Sequence, residues 1–198
     1  MMKVGVLLFE NFETLDVFGP VEILGRLTEE YQIYYYSLVG GLVTNQHGIK
    51  IMSERLLDGA SALDIFLLPG GPGTRVEVHN RELISAIQRQ SQISKYVLTV
   101  CTGSALLAMT GLLDHKKATT NKRAYDWVIS LNKEVEWVKQ ARWVVDDKYY
   151  TSSGVSAGMD MTLGFLSDRH GIEFARKVAF QIEYTWTEDR SYDPFCNQ

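Results

Sequence analysis

The chain has 198 residues and a mass of 22.4 kDa, which is enough for one domain with a sizeable core. Hydrophobic residues make up 45% and charged residues 22% of the sequence, as is ordinary for a soluble globular protein. The formal net charge of -4 and the absence of any lysine- and arginine-rich run argue against the basic surface that nucleic-acid binding requires. We therefore expect a single domain over residues 1–198 with no nucleic-acid partner.

The N-terminal segment is apolar but short. The run from Val4 to Phe9 is followed by Glu10 and Glu13, so it falls far short of a signal-peptide core or a membrane span. The default expectation is a cytoplasmic protein that does not contact a membrane.

Cysteine and histidine usage limits the kinds of site that the chain can hold. The two cysteines, Cys101 and Cys196, are far apart in sequence and predict no disulfide framework. The four histidines are scattered, and none pairs with another at the spacing of metal ligands. We expect no metal site.

The first part of the chain alternates between extended and helical patterns. Lys3–Phe9 is a β-rich run, and Asn11 follows it as a natural cap for a helix with apolar residues at helical spacing. Tyr31–Val39 is rich in aromatic and β-branched residues, and Leu42–Met52 is again extended after a double-glycine break. These patterns predict one strand, one helix and two further extended stretches.

Two buried strands each run directly into a turn. Asp64–Leu68 is continuously apolar at its end, which favours a strand covered on both faces, and it stops at Pro69–Gly73. A helix is predicted over Arg81–Gln90, and the next buried strand, Tyr96–Val100, is followed at once by Cys101–Ser104. The C-terminal half adds, in chain order, a helix over Ala105–Met109 that ends near Gly111, a hairpin of Arg142–Val145 and Tyr149–Ser152, a helix from a Ser156 cap toward Asp168, and a final helix from Glu173 to about Thr187.

Strands that alternate with helices favour an α/β fold with a mostly parallel sheet and helices on both faces. In such sheets ligands bind beyond the carboxyl ends of the strands, where the strand order reverses. Three segments leave strand ends in this chain: Asn11–Asp16, Pro69–Gly73 and Cys101–Ser104. We expect the functional site where they meet.

Cys101 is the main candidate for chemistry. A thiol in the first turn after a strand lies at the N-terminus of the next helix, where unpaired N–H groups and the helix dipole favour the thiolate. We therefore predict an exposed thiol with a lowered pKa. The turn resembles a nucleophile elbow, with Gly103 after the cysteine but Thr99 in place of the first glycine. The alternative interpretation is a small buried core cysteine.

The neighbouring turns supply candidate partners for this thiol. The N–H groups of Gly70 and Gly71, together with that of Thr102, are predicted to form an oxyanion-hole-like pocket, although a simple tight turn explains the glycines equally well. Asp16 is either a dipole-stabilising acid or, in an apolar crevice facing the thiol, a proton donor with a raised pKa. Further candidates for the pocket lining are Thr120, Asn121 and Ser156, within the segments 119–121 and 152–158.

Five segments of the chain resemble the ThiJ/PfpI family. They are Leu15–Pro20 (LDVFGP), Leu68–Gly71 (LPGG), Val100–Gly103 (VCTG), Ala118–Asn121 (ATTN) and Ser153–Asp160 (SGVSAGMD). Their order and spacing match over nearly the whole chain. Within the family the chain is most similar to the isonitrile hydratase-like branch, which shares sequence features with the N-terminal domains of some AraC-type regulators.

This resemblance implies a flavodoxin-like three-layer sandwich, a homodimer, a small-molecule substrate and no cofactor. It implies that Cys101 is the nucleophile, that Asp16 is its acidic partner and that Thr102 is the third catalytic residue. In the chemistry proposed for isonitrile hydratases, a thiolate adds to the terminal carbon of R–NC, the aspartate supplies a proton and activates water, and the thioimidate collapses to an N-substituted formamide.

The chain departs from some members of the family. The family's intracellular proteases place a histidine after the cysteine, where this chain has Thr102, which argues against peptide hydrolysis. Many relatives carry a histidine at the position of Asn121. The AraC-type regulators continue into a helix-turn-helix domain, for which a chain ending at Gln198 leaves no room. The open alternatives are a glutathione-independent glyoxalase or deglycase, and a non-catalytic thiol-based stress sensor or ligand-binding module.

Overall fold

A computed structural model describes residues 1–56 and 63–197 of the chain. Its strands are β1 (Met2–Leu7), β2 (Tyr31–Ser37), β3 (Gly41–Thr44), β4 (Lys50–Arg55), β5 (Ile65–Leu68), β6 (Tyr96–Thr99), β7 (Lys117–Ala118), β8 (Glu136–Trp137), β9 (Trp143–Asp146) and β10 (Tyr149–Ser152). Its helices are α1 (Thr14–Gly25), α2 (Thr74–Glu77), α3 (Arg81–Ile93), α4 (Gly103–Ala108), α5 (Tyr125–Leu131), α6 (Ala157–His170) and α7 (Ile172–Gln181).

Eight strands of the described residues form one sheet in the order β3-β4-β2-β1-β5-β6-β10-β9. The neighbouring pairs from β4 to β10 are parallel, whereas β3 and β9 lie antiparallel at the two edges. The hairpin of β9 and β10 is confirmed, with Ser152 opposite Trp143. The mostly parallel, flavodoxin-like α/β fold predicted from the alternating pattern is therefore confirmed.

The central strands are buried because helices cover both faces of the sheet. All four residues of β5 are buried, which explains why Ile65–Leu68 is apolar without alternation. On one face α1 packs against α6 and α6 against α7, and on the other α4 packs against α3 and α5. None of the helices in the described ranges has both the length and the apolar character needed to cross a membrane.

Two predictions of helix ends are wrong. Asn11 does not cap α1: it adopts a φ of 61°, its N–H donates to the carbonyl of Thr44 at 2.9 Å, and the helix begins at Thr14. Asparagine tolerates this left-handed conformation, which turns the chain out of β1. The final helix ends at Gln181 and not near Thr187, because Glu183 adopts a left-handed φ of 51°. Beyond it, the N–H of Thr187 donates to the Oδ1 atom of Asp160 at 3.0 Å.

The extended stretch predicted over Leu42–Met52 is two strands. Residues 45–49 form a turn between β3 and β4, in which the Oδ1 atom of Asn45 accepts the N–H groups of His47 and Ile49 at 2.9 and 2.8 Å. An asparagine side chain commonly stabilises a turn in this way, and the double glycine alone did not reveal it.

The sheet topology fixes where a ligand can bind. The chain moves from β1 to β2 on one side and continues through β5 and β6 on the other, so the strand order reverses between β1 and β5. The segments that leave the carboxyl ends of β1, β5 and β6 meet at this point, as the sequence predicted. They carry Asp16, Gly70 and Cys101 respectively.

Candidate active site

Cys101 lies in a strained turn between β6 and α4. Its φ of 57° is in the left-handed region that a residue with a side chain rarely adopts. The surrounding structure holds this conformation: the Cys101 N–H donates to the carbonyl of Ser153 at 3.0 Å, and the Cys101 carbonyl accepts from the hydroxyls of Thr120 and Ser104, each at 3.1 Å. The strain fixes the direction of the thiol, as in a nucleophile elbow.

The prediction of an exposed thiol with a lowered pKa is wrong. Only 6% of the Cys101 surface is exposed, and burial, reinforced by the nearby Asp16 carboxylate, raises the pKa of the thiol to about 12. The helix that follows has six residues, and its N-terminus does not offset the loss of water around the sulfur. The thiol therefore stays protonated at neutral pH unless a reaction draws its proton away.

Three N–H donors face the sulfur and oppose this effect. The side-chain amide of Asn121 donates to the Cys101 sulfur at 3.1 Å, and the backbone N–H groups of Thr102 and Val155 also lower the thiol pKa. Val155 was not singled out in the sequence, since its φ of 36° depends on the tertiary structure and not on a glycine. These donors can stabilise negative charge as it develops on or next to the sulfur.

Asp16 is the acidic group beside the thiol. It is fully buried in the first turn of α1, and its Oδ2 atom accepts the N–H of Gly70 at 2.8 Å. Its Oδ1 atom accepts no hydrogen bond from any of the described residues. Burial raises its pKa well above the ordinary value, the charge of Glu13 raises it further, and the Gly70 N–H and the contact with Cys101 oppose the rise. Asp16 and Cys101 therefore form a coupled pair that favours keeping its protons.

The glycine amides do not form the predicted oxyanion pocket. The N–H of Gly70 is taken by Asp16, and the N–H of Gly71 donates to the Oγ1 atom of Thr102 at 3.1 Å. The same Thr102 oxygen accepts from the hydroxyl of Thr74 at 3.0 Å, so it is engaged within the protein. Glycine is required at position 70 for space: a Cβ there would lie 2.5 Å from the Thr102 nitrogen and 3.0 Å from the Asp16 carboxylate.

The structure separates the other candidate residues by role. Asn121 contacts the sulfur, and its Oδ1 atom also accepts the N–H of Ala124 at 3.0 Å, which fixes its orientation. Thr120 is buried and supports the Cys101 backbone without lining the cavity. Ser156 precedes α6 as predicted, but it neither caps the helix with its side chain nor lines the cavity, because its hydroxyl binds Arg142.

A cavity of about 530 Å³ opens beside the thiol. It is lined by Glu13, Gln46, Gly71, Pro72, Arg75, Cys101, Thr102, Asn121, Arg123, Ala124 and Val155. Its size suits a small molecule, and the mixture of apolar and polar groups is typical of such sites. In the described residues no three histidine, cysteine or acidic side chains cluster so as to hold a metal ion.

A buried ion pair supports the turn that carries Val155. The Nε and Nη2 atoms of Arg142 donate to the Oδ2 atom of Asp160 at 2.9 and 2.8 Å, and Nη2 also lies 3.2 Å from the Ser156 hydroxyl. The Arg142 carbonyl accepts the N–H of Ser153 at 2.9 Å, and Ser153 in turn binds the Cys101 backbone. Arg142 thus connects the core to the turn that faces the thiol.

We expect Arg142→Met to lower the free energy of unfolding by about 3 kcal/mol, because it leaves the Asp160 carboxylate buried without its cation. Urea denaturation measures this loss. Arg176→Met is the matched control, since Arg176 pairs with Glu173 and Glu188 at the surface and its removal should change stability little. Equal stability of the wild-type and Arg142→Met proteins would contradict the role assigned to this pair.

Comparisons with known proteins agree with the fold and place the chain in a family. Residues 2–168 match the model of the DJ-1/PfpI family. The chain is 31% identical over 184 residues to an isonitrile hydratase from Pseudomonas putida, covering 92% of this chain and 78% of that protein. It is 30% identical over 191 residues to the HTH-type transcriptional regulator GbdR from Pseudomonas aeruginosa, covering 92% of this chain and 50% of the regulator.

A solved structure of a ThiJ/PfpI family protein from Pseudomonas syringae superimposes with a TM-score of 0.82 at 26% identity, covering 92% of this chain and 75% of that chain. The family match over residues 2–168 extends from β1 through the cysteine turn into α6, so it includes every segment that builds the candidate site. The resemblance drawn from the five sequence segments is confirmed. This chain belongs to the DJ-1/PfpI family.

Proposed function

We propose that this protein is a cysteine-dependent enzyme that hydrates a small isonitrile to an N-substituted formamide. The observation that carries the proposal is the buried pair of Asp16 and Cys101, in which the Cys101 thiol lines a small-molecule cavity and Asp16 lies behind it. The likeness to an isonitrile hydratase supports the same substrate class.

The protonated state of the pair suits this reaction. An isonitrile accepts a nucleophile and a proton at the same terminal carbon, so a thiol beside a carboxyl group can supply both without a free thiolate in the resting enzyme. The Cys101 sulfur forms a bond to the carbon while one proton of the pair passes through Asp16 to that carbon. The product of this step is a thioimidate, R–N=CH–S–Cys101.

The second half of the reaction uses water. The proton that remains on Asp16 passes to the thioimidate nitrogen, and the resulting carboxylate accepts a proton from water as the water oxygen bonds to the thioimidate carbon. The carbon–sulfur bond then breaks, the hydroxyl proton returns to the pair, and R–NH–CHO leaves. The overall change is addition of one water to R–NC, with no oxidation or reduction. The Asn121 amide and the N–H groups of Thr102 and Val155 stabilise the sulfur as it leaves.

Incubation with cyclohexyl isocyanide tests the proposal. We expect N-cyclohexylformamide to form in many turnovers per protein molecule, as followed by chromatography or formamide absorbance. A parallel incubation with methylglyoxal separates the glyoxalase alternative, which predicts loss of methylglyoxal without turnover of the isonitrile. A stress sensor would turn over neither compound, while mild peroxide would oxidise Cys101 selectively.

We further propose that the enzyme acts as a cytoplasmic homodimer on a small molecule, as the family resemblance implies. The support for a small-molecule substrate is the volume of the cavity beside Cys101. The formal net charge of -4 gives no support for nucleic-acid binding by this chain.

A further inference from the structure

A second cavity of about 510 Å³ adjoins the one at the thiol. It is lined by Asn121, Lys122, Arg123, Tyr125, Asp126, Lys139, Ser153, Gly154, Val155 and Phe195. Asn121, Arg123 and Val155 line both cavities. Two of these residues, Asn121 and Val155, also donate hydrogen bonds to the Cys101 sulfur. A molecule bound at Cys101 can therefore extend its substituent past Val155 into the second cavity.

The second cavity is cationic in a chain whose net charge is negative. Its described walls carry Lys122, Arg123 and Lys139 against the single acid Asp126, whereas the whole chain has a formal charge of -4. The first cavity is closer to neutral, because its lining has the acid Glu13 and two arginines, Arg75 and Arg123. An anionic group is thus more favoured in the second cavity than in the first, where Glu13 offsets part of the positive charge.

Two of the three cations are available to a ligand. The ammonium group of Lys122 is buried, and it donates to the Thr119 hydroxyl and the Ala141 carbonyl at 2.8 and 2.9 Å, so its protons are used within the protein. Arg123 is exposed and makes no hydrogen bond or ion pair with any described residue. Among residues 1–56 and 63–197, Lys139 has no hydrogen bond or ion pair, and its nitrogen lies 5.7 Å from the centre of the Tyr125 ring.

Apolar surface lies beside these cations. Phe195 is 49% exposed and lines the second cavity together with Val155 and the Tyr125 ring. A ligand that fills the cavity therefore meets apolar side chains first and cationic groups beside them. This arrangement matches an apolar substituent that ends in a carboxylate.

We propose that the natural substrate is an isonitrile whose apolar substituent carries a carboxylate, held by Arg123 and Lys139 in the second cavity. This inference rests on the proposed isonitrile hydration. The carboxylate places the isonitrile carbon at Cys101 and takes no part in the chemistry, so Arg123 and Lys139 determine specificity only.

The test compares an isocyano-alkanoate with its methyl ester, in which a methyl group replaces the negative charge. We expect the wild-type enzyme to prefer the acid by about tenfold in kcat/KM, through KM, with the preference shrinking at high salt. Arg123→Gln and Lys139→Gln should each lower the ratio of kcat/KM for the acid over kcat/KM for the ester about threefold. Lys133→Gln removes an exposed charge outside the linings of both cavities and serves as the matched control.

A binding measurement separates this inference from the proposed activity. Calorimetry with the corresponding formamides needs no turnover: the acid should bind the wild-type protein more tightly than its ester, and Arg123→Gln should reduce this difference in affinity about threefold. Turnover of acid and ester at equal kcat/KM would overturn the inference and leave isonitrile hydration intact. Selective binding of the acid without turnover of any isonitrile would retain the anion site and reject the proposed function.

Discussion

Cys101→Ser should reduce isonitrile hydration by at least about 10,000-fold, because a serine hydroxyl beside the same carboxyl group is a far weaker nucleophile. The fold should be retained, since serine has nearly the size of cysteine and the φ of 57° is held by backbone hydrogen bonds to Ser153 and Thr120. The measurement is the rate of formamide production by the two proteins, with circular dichroism to verify folding.

Cys196→Ser is the matched control for the loss of a buried thiol. Cys196 is also free and buried, but it lies outside the linings of both cavities. We expect the Cys196→Ser enzyme to hydrate the isonitrile at close to the wild-type rate. A Cys101→Ser enzyme as active as this control would show that the sulfur does not attack the substrate.

Asp16→Asn should reduce the rate of hydration by about 1,000-fold, because asparagine neither delivers the proton to the isonitrile carbon nor accepts one from water. The amide oxygen can still accept the N–H of Gly70, so the geometry of the turn should persist. The measurement is kcat at saturating isonitrile. Glu22→Gln makes the same chemical change on the exposed side of α1 and should leave kcat unchanged.

Asp16→Asn should also change how the free energy of unfolding depends on pH. Because the pKa of Asp16 is raised in the folded protein, the folded state binds this proton more tightly than the unfolded chain does. The stability contributed by the protonated group is therefore present at low pH and is lost as pH rises from the ordinary aspartate range through the raised pKa. We expect Asp16→Asn to remove this loss, so its stability relative to wild type should be greater at about pH 8 than at about pH 4. A difference that is constant over this range in urea denaturation would show that Asp16 ionises normally.

The sequence was sufficient for the fold and for the meeting of three segments at one edge of the sheet. The continuous apolar run of Ile65–Leu68 reports burial on both faces, and the abrupt turns at Gly70 and Cys101 mark strand ends. Parallel strands bring such ends together whatever the details of packing. For this reason the sequence alone predicts Asp16 and Cys101 at the same edge of the sheet, with contact between the carboxyl group and the thiol as one of two alternatives.

The direction of the pKa shift of the Cys101 thiol could not be predicted from the sequence in the same way. Local position predicted a thiolate stabilised by a helix N-terminus, whereas burial, reinforced by Asp16, raises the pKa of Cys101 instead. Burial and the Asp16 contact depend on how distant segments pack, and so does the direction of each backbone N–H. The same reason explains why Gly70 donates to Asp16, and why Val155 and not Gly71 faces the sulfur.

The central claim is that the Cys101 sulfur bonds to the isonitrile carbon during turnover. Acid quenching of the wild-type and Asp16→Asn enzymes during reaction with excess cyclohexyl isocyanide, followed by peptide mass spectrometry, tests it most directly, because an adduct trapped on the sulfur reports the bond itself. We predict that the peptide containing Cys101 gains the mass of one isonitrile, while the peptide containing Cys196 stays unmodified. Formamide production with Cys101 unmodified in both the variant and the wild-type enzyme would contradict the claim.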